Sequence, residues 1–178
     1  MEVSDETLAR AAADGDGDAF ALLLERRYNG LFALAFRLTG SRAEAEDLTQ
    51  DICAALPGKL AGFRGQARVT TWLYRVAVNA AHDRRRRAAS RSRAYDGWGA
   101  WEVERRAGDA ETDERRGWLA RAMTALTDDL RDTLALLIDE DLTHAQAAEV
   151  LGVSEGTVSW RMSEAKKRLR ALAERELR

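Results

Sequence analysis

The stretch THAQAAEVLGVSEGTV at residues 143–158 decides the fold of the C-terminal part of this chain. Ala148 lets a short helix approach a second helix closely, because alanine has almost no side chain. Gly152 supplies the positive φ that a tight turn between two helices needs. Ser154 is a favourable cap for the helix that follows. Together these residues predict a helix-turn-helix motif.

The second helix of the motif is expected to be amphipathic. Its apolar positions recur at helical spacing and face the core: Val158, Met162, Ala165, Leu169 and Leu172. Trp160 lies roughly 200° around the helix from Val158 and should point outward. The opposite face suits the DNA major groove, and the basic end suits phosphates. The candidate contacts are Ser154, Glu155, Thr157, Ser159, Trp160, Arg161, Lys166 and Arg168. The alternative is an ordinary helical hairpin with a solvated basic end.

The composition favours an all-α protein. Hydrophobic residues make up 46% and charged residues 33% of the 178 residues, and there is a single proline. Long stretches can therefore be helical, since proline is the strongest helix breaker. Residues 1–18 lack a basic region and an apolar core, so no signal peptide is expected. No apolar run reaches the roughly 18 residues of a membrane span. We expect a cytoplasmic protein without membrane insertion.

Charge is distributed unevenly along the chain, although the net charge is only −2. Residues 1–63 carry a net −5 and residues 94–143 a net −7. Residues 64–93 carry a net +8 and residues 144–178 a net +2. Two basic segments between acidic ones suggest two contacts with a polyanion.

Hydrophobic spacing and caps predict four N-terminal helices, at about residues 4–13, 18–39, 42–56 and 70–88. Pro57 and Gly58 should stop or kink the third. The periodicity fails between residues 89 and 113, where Trp98 and Trp101 stand among glycines and charges. We therefore expect two small helical domains joined by a linker, the C-terminal one with the helix-turn-helix. The domains are residues 1–89 and 114–178, and the linker is residues 90–113.

The first basic segment has a different character from the helix-turn-helix. It reads FRGQARVTTWLYRVAVNAAHDRRRR at residues 63–87 and combines a flexible loop, Trp72, Tyr74, Asn79 and four consecutive arginines. Aromatic side chains beside a basic groove suit single-stranded bases, which stack on them. The alternative is that Trp72 and Tyr74 are core residues.

These motifs together resemble the extracytoplasmic-function (ECF) sigma factors of bacterial RNA polymerase. AEAEDLTQD at residues 43–51 resembles the core-polymerase-binding helix of that family. Residues 63–65, residues 71–75 and Asn79 resemble its promoter-melting loop and helix. The C-terminal motif resembles the domain that reads the minus-thirty-five element. The motifs occur in family order and spacing over nearly the whole chain outside the linker.

The resemblance implies roles for particular residues. The polymerase clamp helices would be bound by Glu44, Asp47, Leu48, Gln50 and Asp51. The unpaired minus-ten strand would be contacted by Arg64, Gln66, Arg68, Thr71, Trp72, Arg75, Asn79 and Arg84. The recognition-helix residues given above would read the minus-thirty-five element, and their domain would touch the polymerase flap. The family also implies an anti-sigma factor that holds the protein inactive until a stress signal.

The chain departs from the family pattern at several places. Thr70 stands where a basic residue is usual, and Cys53 and Pro57 stand where bulky hydrophobic residues are common. The minus-ten loop reads Gln66-Ala67-Arg68-Val69 where an acid-Ser-Ser sequence is common. Ser159-Trp160 replaces the more usual Lys-Ser in the recognition helix. The preferred minus-ten base and the minus-thirty-five contacts are therefore expected to be unusual.

Two other classes of function explain the sequence less well. An enzyme is disfavoured, because His82 and His144 have neither ligand-like nor triad-like spacing and no phosphate-binding loop is evident. The lone Cys53 excludes a multi-cysteine metal site. We expect no catalytic residues, no metal and no cofactor. A stand-alone helix-turn-helix regulator would explain the C-terminal motif, but not residues 63–87.

Overall fold

The computed structural model describes residues 3–95, 114–138 and 142–176. These residues form eight helices and no strand, which confirms the all-α class. The helices are α1 (Asp5–Ala13), α2 (Gly17–Thr39), α3 (Arg42–Leu60), α4 (Val69–Tyr95), α5 (Glu114–Thr124), α6 (Asp128–Leu137), α7 (His144–Leu151) and α8 (Glu155–Glu176). The linker tryptophans, Trp98 and Trp101, lie outside the described residues.

Side-chain caps begin the first three helices, and the sequence predicts two of these caps, Ser4 and Ser41. Ser4 accepts a hydrogen bond from the Thr7 amide, and Ser41 accepts one from the Glu44 amide. Asp16 accepts from two amides at the start of α2. Each side-chain oxygen satisfies a backbone donor that has no partner within the helix.

Two helices run further than the sequence predicts. Helix α3 continues through Pro57 to Leu60, because Leu60 is buried in the core and packing holds the last turn in place. Helix α4 continues from Ala88 to Tyr95. Apolar periodicity ends near residue 88, but a solvent-exposed helix does not need it, and arginine and alanine are strong helix formers. Residues 90–95, which the sequence assigns to the linker, are therefore helical.

Helices α1 to α4 enclose one apolar core. Most of the largest buried side chains there come from α2 and α3, including Leu23, Leu31, Leu34, Leu48 and Ile52, and α4 adds Leu73. No helix among the described ranges is long and apolar enough to cross a membrane.

The helix-turn-helix forms as the sequence predicts. Thr143 and Gln146 make a reciprocal capping box at the start of α7. Gly152 ends α7 with a φ of 65°, in the left-handed region that favours glycine. Ser154 accepts a hydrogen bond from the Thr157 amide at the start of α8. Val158 and Ala165 are fully buried on the inner face of that helix.

The C-terminal helices pack directly on the N-terminal ones. Helix α6 is buried along almost its whole length, and it contacts α2 as well as α7 and α8. Helix α7 lies against α4, and α5 lies against α2. The Arg37 side chain on α2 donates a 2.8 Å hydrogen bond to the Ala135 carbonyl on α6. The two domains are thus docked to each other.

Candidate nucleic-acid interface

Helix α4 carries most of the residues that the sequence assigns to the minus-ten strand. Asn79 is exposed, and Arg75 and Arg84 are half-buried at the helix surface. Thr71 is buried, so its side chain has no surface from which to contact DNA. The assignment of Thr71 as a DNA contact is corrected accordingly. It stands three residues before the buried Tyr74, which places it on the inner face of the helix.

Trp72 is only partly available for a base contact. It is half-buried, and its ring packs edge-on against Phe63, with the centroids 5.4 Å apart and the planes at 61°. This aromatic pair joins the start of α4 to the loop before it. Burial of Tyr74 likewise fits the core alternative for that residue.

The loop before α4 presents three polar candidates to solvent. Arg64, Gln66 and Arg68 are all exposed. The loop is held at both ends, because Phe63 and Val69 are buried in the core. The two ends of the loop are therefore anchored beside α4.

Helix α3 presents the acidic face that the sequence predicts. The Asp47 and Asp51 side chains are 69% and 63% exposed, and Gln50 is exposed beside them. Leu48 is fully buried, so its assignment as a polymerase contact is corrected. Its position three residues after the buried Ala45 and four before the buried Ile52 puts it on the inner face.

Arg84 connects the acidic and basic faces. Its guanidinium lies 2.8 Å from the Asp51 carboxylate and 3.8 Å from that of Asp47. The structure therefore brings together residues that the sequence assigns to different partners. A basic partner docking on α3 would compete with Arg84 for the two carboxylates.

The recognition helix α8 exposes Trp160 as expected. Its side chain is 62% exposed, the highest value among the large hydrophobic residues described as exposed. Glu155, Lys166 and Arg168 are exposed on the same helix. The Trp160 ring stands on the outer surface of the motif, where a partner can reach it.

Other recognition-helix candidates are engaged within their own domain. The Ser159 hydroxyl lies 3.0 Å from His144 Nδ1 on α7, and the Ser154 and Thr157 hydroxyls lie 2.8 Å apart. Arg161 is only 19% exposed and lies 3.5 Å from the Asp129 carboxylate. It therefore tethers α8 to α6 and is less free to reach DNA than the sequence suggests.

The pKa of Asp129 reflects this arrangement. A hydrogen bond from the Thr127 hydroxyl lowers the pKa of the Asp129 carboxyl below its usual value. The nearby Arg161 guanidinium lowers the pKa further, since a positive charge favours the carboxylate. Both groups keep Asp129 ionised at the start of α6.

A charged cluster between the domains is not predicted from the sequence. The Asp132 side chain on α6 is only 3% exposed and lies 2.6 Å from His82 Nε2. Arg85 donates from one nitrogen to both oxygens of Asp132, each at 2.9 Å. The available signal was an aspartate within the leucine-rich run of α6, because a buried carboxylate needs a partner.

Comparison with known proteins agrees with this arrangement. Residues 23–91 match the family model Sigma-70 region 2, and residues 122–171 match Sigma-70, region 4. The ECF RNA polymerase sigma factor SigM of Mycobacterium tuberculosis is 35% identical over 174 residues, covering 96% of this chain and 85% of that protein.

Two solved structures share the fold. CnrH, solved in complex with the cytosolic domain of CnrY, has a TM-score of 0.71 and 26% identity, covering 96% of this chain and 97% of CnrH. The sigma factor RpoE of Bartonella quintana, solved with the anti-sigma factor NepR, has a TM-score of 0.73 and 24% identity, covering 87% and 96%. With an acidic helix, a basic helix and a helix-turn-helix in family order, this chain belongs to the ECF sigma factors of bacterial RNA polymerase.

Proposed function

We propose that this chain binds core RNA polymerase in the cytoplasm and directs it to specific promoters, without catalysing a reaction itself. One observation carries the proposal: the exposed acidic side chains on α3 lie next to Arg84, a partly exposed basic side chain on α4. Such a pair of faces suits a protein that holds a basic protein surface and a nucleic acid strand at the same time.

The acidic face of α3 is the proposed polymerase contact. Asp47, Gln50 and Asp51 are exposed on one side of the helix, and Glu44 is half-buried nearby. Two carboxylates one helical turn apart complement a basic surface such as the one expected on the clamp helices. Leu48 contributes by fixing α3 on the core rather than by touching the polymerase.

The basic loop and α4 are the proposed site for the unpaired minus-ten strand. Arg64, Gln66 and Arg68 are exposed in the loop, and Asn79 is exposed about three turns into the helix. Arginines attract the phosphates of the strand, and exposed amides can hydrogen-bond its bases. The part of Trp72 that remains exposed offers a stacking surface beside them.

Helix α8 is the proposed reader of the minus-thirty-five element. Trp160 and Glu155 face outward in its first half, and Lys166 and Arg168 lie further along it. A tryptophan in the major groove can pack on a thymine methyl group, while the basic residues contact phosphates. The polymerase flap is the proposed protein contact of the same domain.

We also propose that an anti-sigma factor restrains this chain until a stress signal. The support is family membership and the likeness to CnrH, which was solved with a protein partner, the cytosolic domain of CnrY. The exposed Trp160 offers an apolar anchor of the kind that protein interfaces favour.

Charge reversal on α3 tests the polymerase contact. The double variant Asp47→Lys/Asp51→Lys should bind core polymerase at least about tenfold more weakly, because attraction to a basic surface becomes repulsion. Fluorescence anisotropy of the labelled full chain, titrated with core polymerase, measures the affinity. Circular dichroism should be unchanged, since both positions are exposed.

The matched control reverses two other exposed carboxylates of the same domain, in the variant Asp14→Lys/Glu25→Lys. It alters the net charge equally and should bind core polymerase as the wild type does. Equal affinities for the two variants would show that α3 is not the polymerase contact.

A further inference from the structure

A buried carboxylate takes part in the docking of the two domains. Asp132 projects from the C-terminal domain onto α4. There Arg85 contacts both carboxylate oxygens, and His82 contacts one of them. A second nitrogen of Arg85 lies 3.1 Å from the carboxylate of Asp128. A buried carboxylate is costly to desolvate, so it needs hydrogen-bonding partners such as His82 and Arg85.

A second contact binds the same face of α4. Arg75 donates a 2.8 Å hydrogen bond to the Glu149 carbonyl on α7, and its guanidinium lies 3.4 Å from the Glu149 carboxylate. Arg75, His82 and Arg85 follow one another at seven- and three-residue intervals, which places them along one side of α4. The C-terminal domain thus contacts a row of donors on the helix that carries the minus-ten candidates, although Arg75 and His82 stay 41% and 49% exposed.

We infer that the docked chain is a self-inhibited state, in which Asp132 occupies the position on α4 that a DNA phosphate takes when the domains separate. A carboxylate and a phosphate offer the same kind of acceptor to a guanidinium. Docking and DNA binding on this face of α4 are therefore mutually exclusive. The inference rests on the proposed function in assigning α4 to DNA, but its structural part concerns the free chain alone.

The two ends of the contact behave differently when the domains separate. Arg85 and His82 remain on the surface of α4, where water or phosphates satisfy them. Asp132 returns to solvent on α6. Removing the carboxylate should therefore free α4 for DNA, whereas removing Arg85 should undock the domains and also remove a phosphate contact.

Small-angle X-ray scattering of the free full chain tests the docking. Asp132→Asn should give a larger radius of gyration and maximum dimension than the wild type, because the charged contact is lost with little change in shape. Asp129→Asn is the control: it removes the same charge from the same helix, at an exposed carboxylate whose ion pair, with Arg161, lies within its own domain. The control should keep wild-type dimensions.

Binding of a fluorescein-labelled single-stranded oligonucleotide tests the competition. If the docked form outnumbers the open form by about ten to one, Asp132→Asn should bind about tenfold more tightly than Asp129→Asn, because apparent affinity scales with the competent fraction. Arg85→Gln should expand the chain without this gain in affinity. It also serves as the second route to the open form if Asp132→Asn fails to fold.

Several outcomes overturn the inference. Wild-type dimensions in the folded Asp132→Asn or Arg85→Gln variant would show that the contact does not hold the domains together. Expansion of Asp132→Asn with the DNA affinity of the control would show that docking does not mask the DNA site. An equal gain in oligonucleotide affinity for Arg85→Gln would show that the DNA does not contact Arg85. Since none of these measurements involves polymerase, failure of the α3 assignment is detected separately.

Discussion

Substitution of Gly40 by alanine should destabilise the docked chain more than its backbone conformation alone explains. Gly40 caps α2 with a φ of 71°. An added Cβ atom would lie 2.7 Å from the Thr124 Cγ2 atom and 3.3 Å from the Ala120 carbonyl oxygen, both on α5. Gly152 has a nearly equal φ of 65°, and nothing lies within 4 Å of its Cβ position. Comparing alanine substitutions at Gly40 and Gly152 therefore separates the cost of the left-handed backbone from the cost of the contact with α5.

The magnitudes follow from these contacts. Alanine in the left-handed region costs roughly 1–2 kcal/mol at either site. At Gly40 the Thr124 methyl group must also move, but the Thr124 hydroxyl donates a 2.7 Å hydrogen bond to the Arg121 carbonyl and so fixes the side chain. Breaking that bond costs about 1 kcal/mol more. Gly40→Ala should therefore lower the free energy of unfolding by about 1 kcal/mol more than Gly152→Ala.

A double-mutant cycle isolates the contact. Thr124→Ser removes the obstructing methyl group and keeps the hydroxyl, so the double variant Gly40→Ala/Thr124→Ser should recover about 1 kcal/mol of the loss. Urea unfolding followed by far-ultraviolet circular dichroism gives the four free energies. Thr124→Ser alone should be nearly neutral, because the side chain is exposed.

A cycle with zero coupling energy would refute this reasoning. It would show that α5 does not contact Gly40 closely in the free chain. An equal loss of unfolding free energy for Gly40→Ala and Gly152→Ala would support the same conclusion.

Three further predictions concern the proposed interfaces and the single cysteine. Trp160→Ser should weaken binding of the holoenzyme to a promoter with an intact minus-thirty-five element and leave the fold unchanged. Unaltered binding to both promoter DNA and an anti-sigma factor would contradict a functional role for the exposed tryptophan. Alanine at Arg68, Asn79 and Arg84 together should reduce permanganate reactivity of promoter thymines more than closed-complex formation, and equal losses would indicate general electrostatic binding instead. Burial raises the pKa of the Cys53 thiol, so iodoacetamide should alkylate it more slowly at neutral pH in the folded chain than in urea, and equal rates would contradict a shielded thiol.

Local sequence signals decide most of the helices. Ser4, Ser41, Thr143 and Ser154 each place an oxygen where a helix needs an acceptor, and Gly152 permits the turn of the helix-turn-helix. These effects act within a few residues, so they can be read along the chain. The outward direction of Trp160 follows in the same way from helical spacing.

Burial is harder to read for residues inside functional motifs. Leu48 and Thr71 belong to segments that resemble contact motifs, yet both are buried. A family motif combines residues that touch the partner with residues that hold the contact face in place. Residues that touch the partner and residues that support the contact face differ only in whether they face solvent or the folded core.

The sequence by itself determined the all-α class, the charge pattern and the two motifs that identify the family, because propensity, caps and periodicity are local. Only the tertiary structure decided that Asp132 meets His82 and Arg85, residues 47 to 50 positions away in the chain. It also decided that Gly40 and Gly152, equivalent as helix caps, differ in what surrounds them. Such pairings depend on how two folded domains meet, and neither domain's local pattern contains that information.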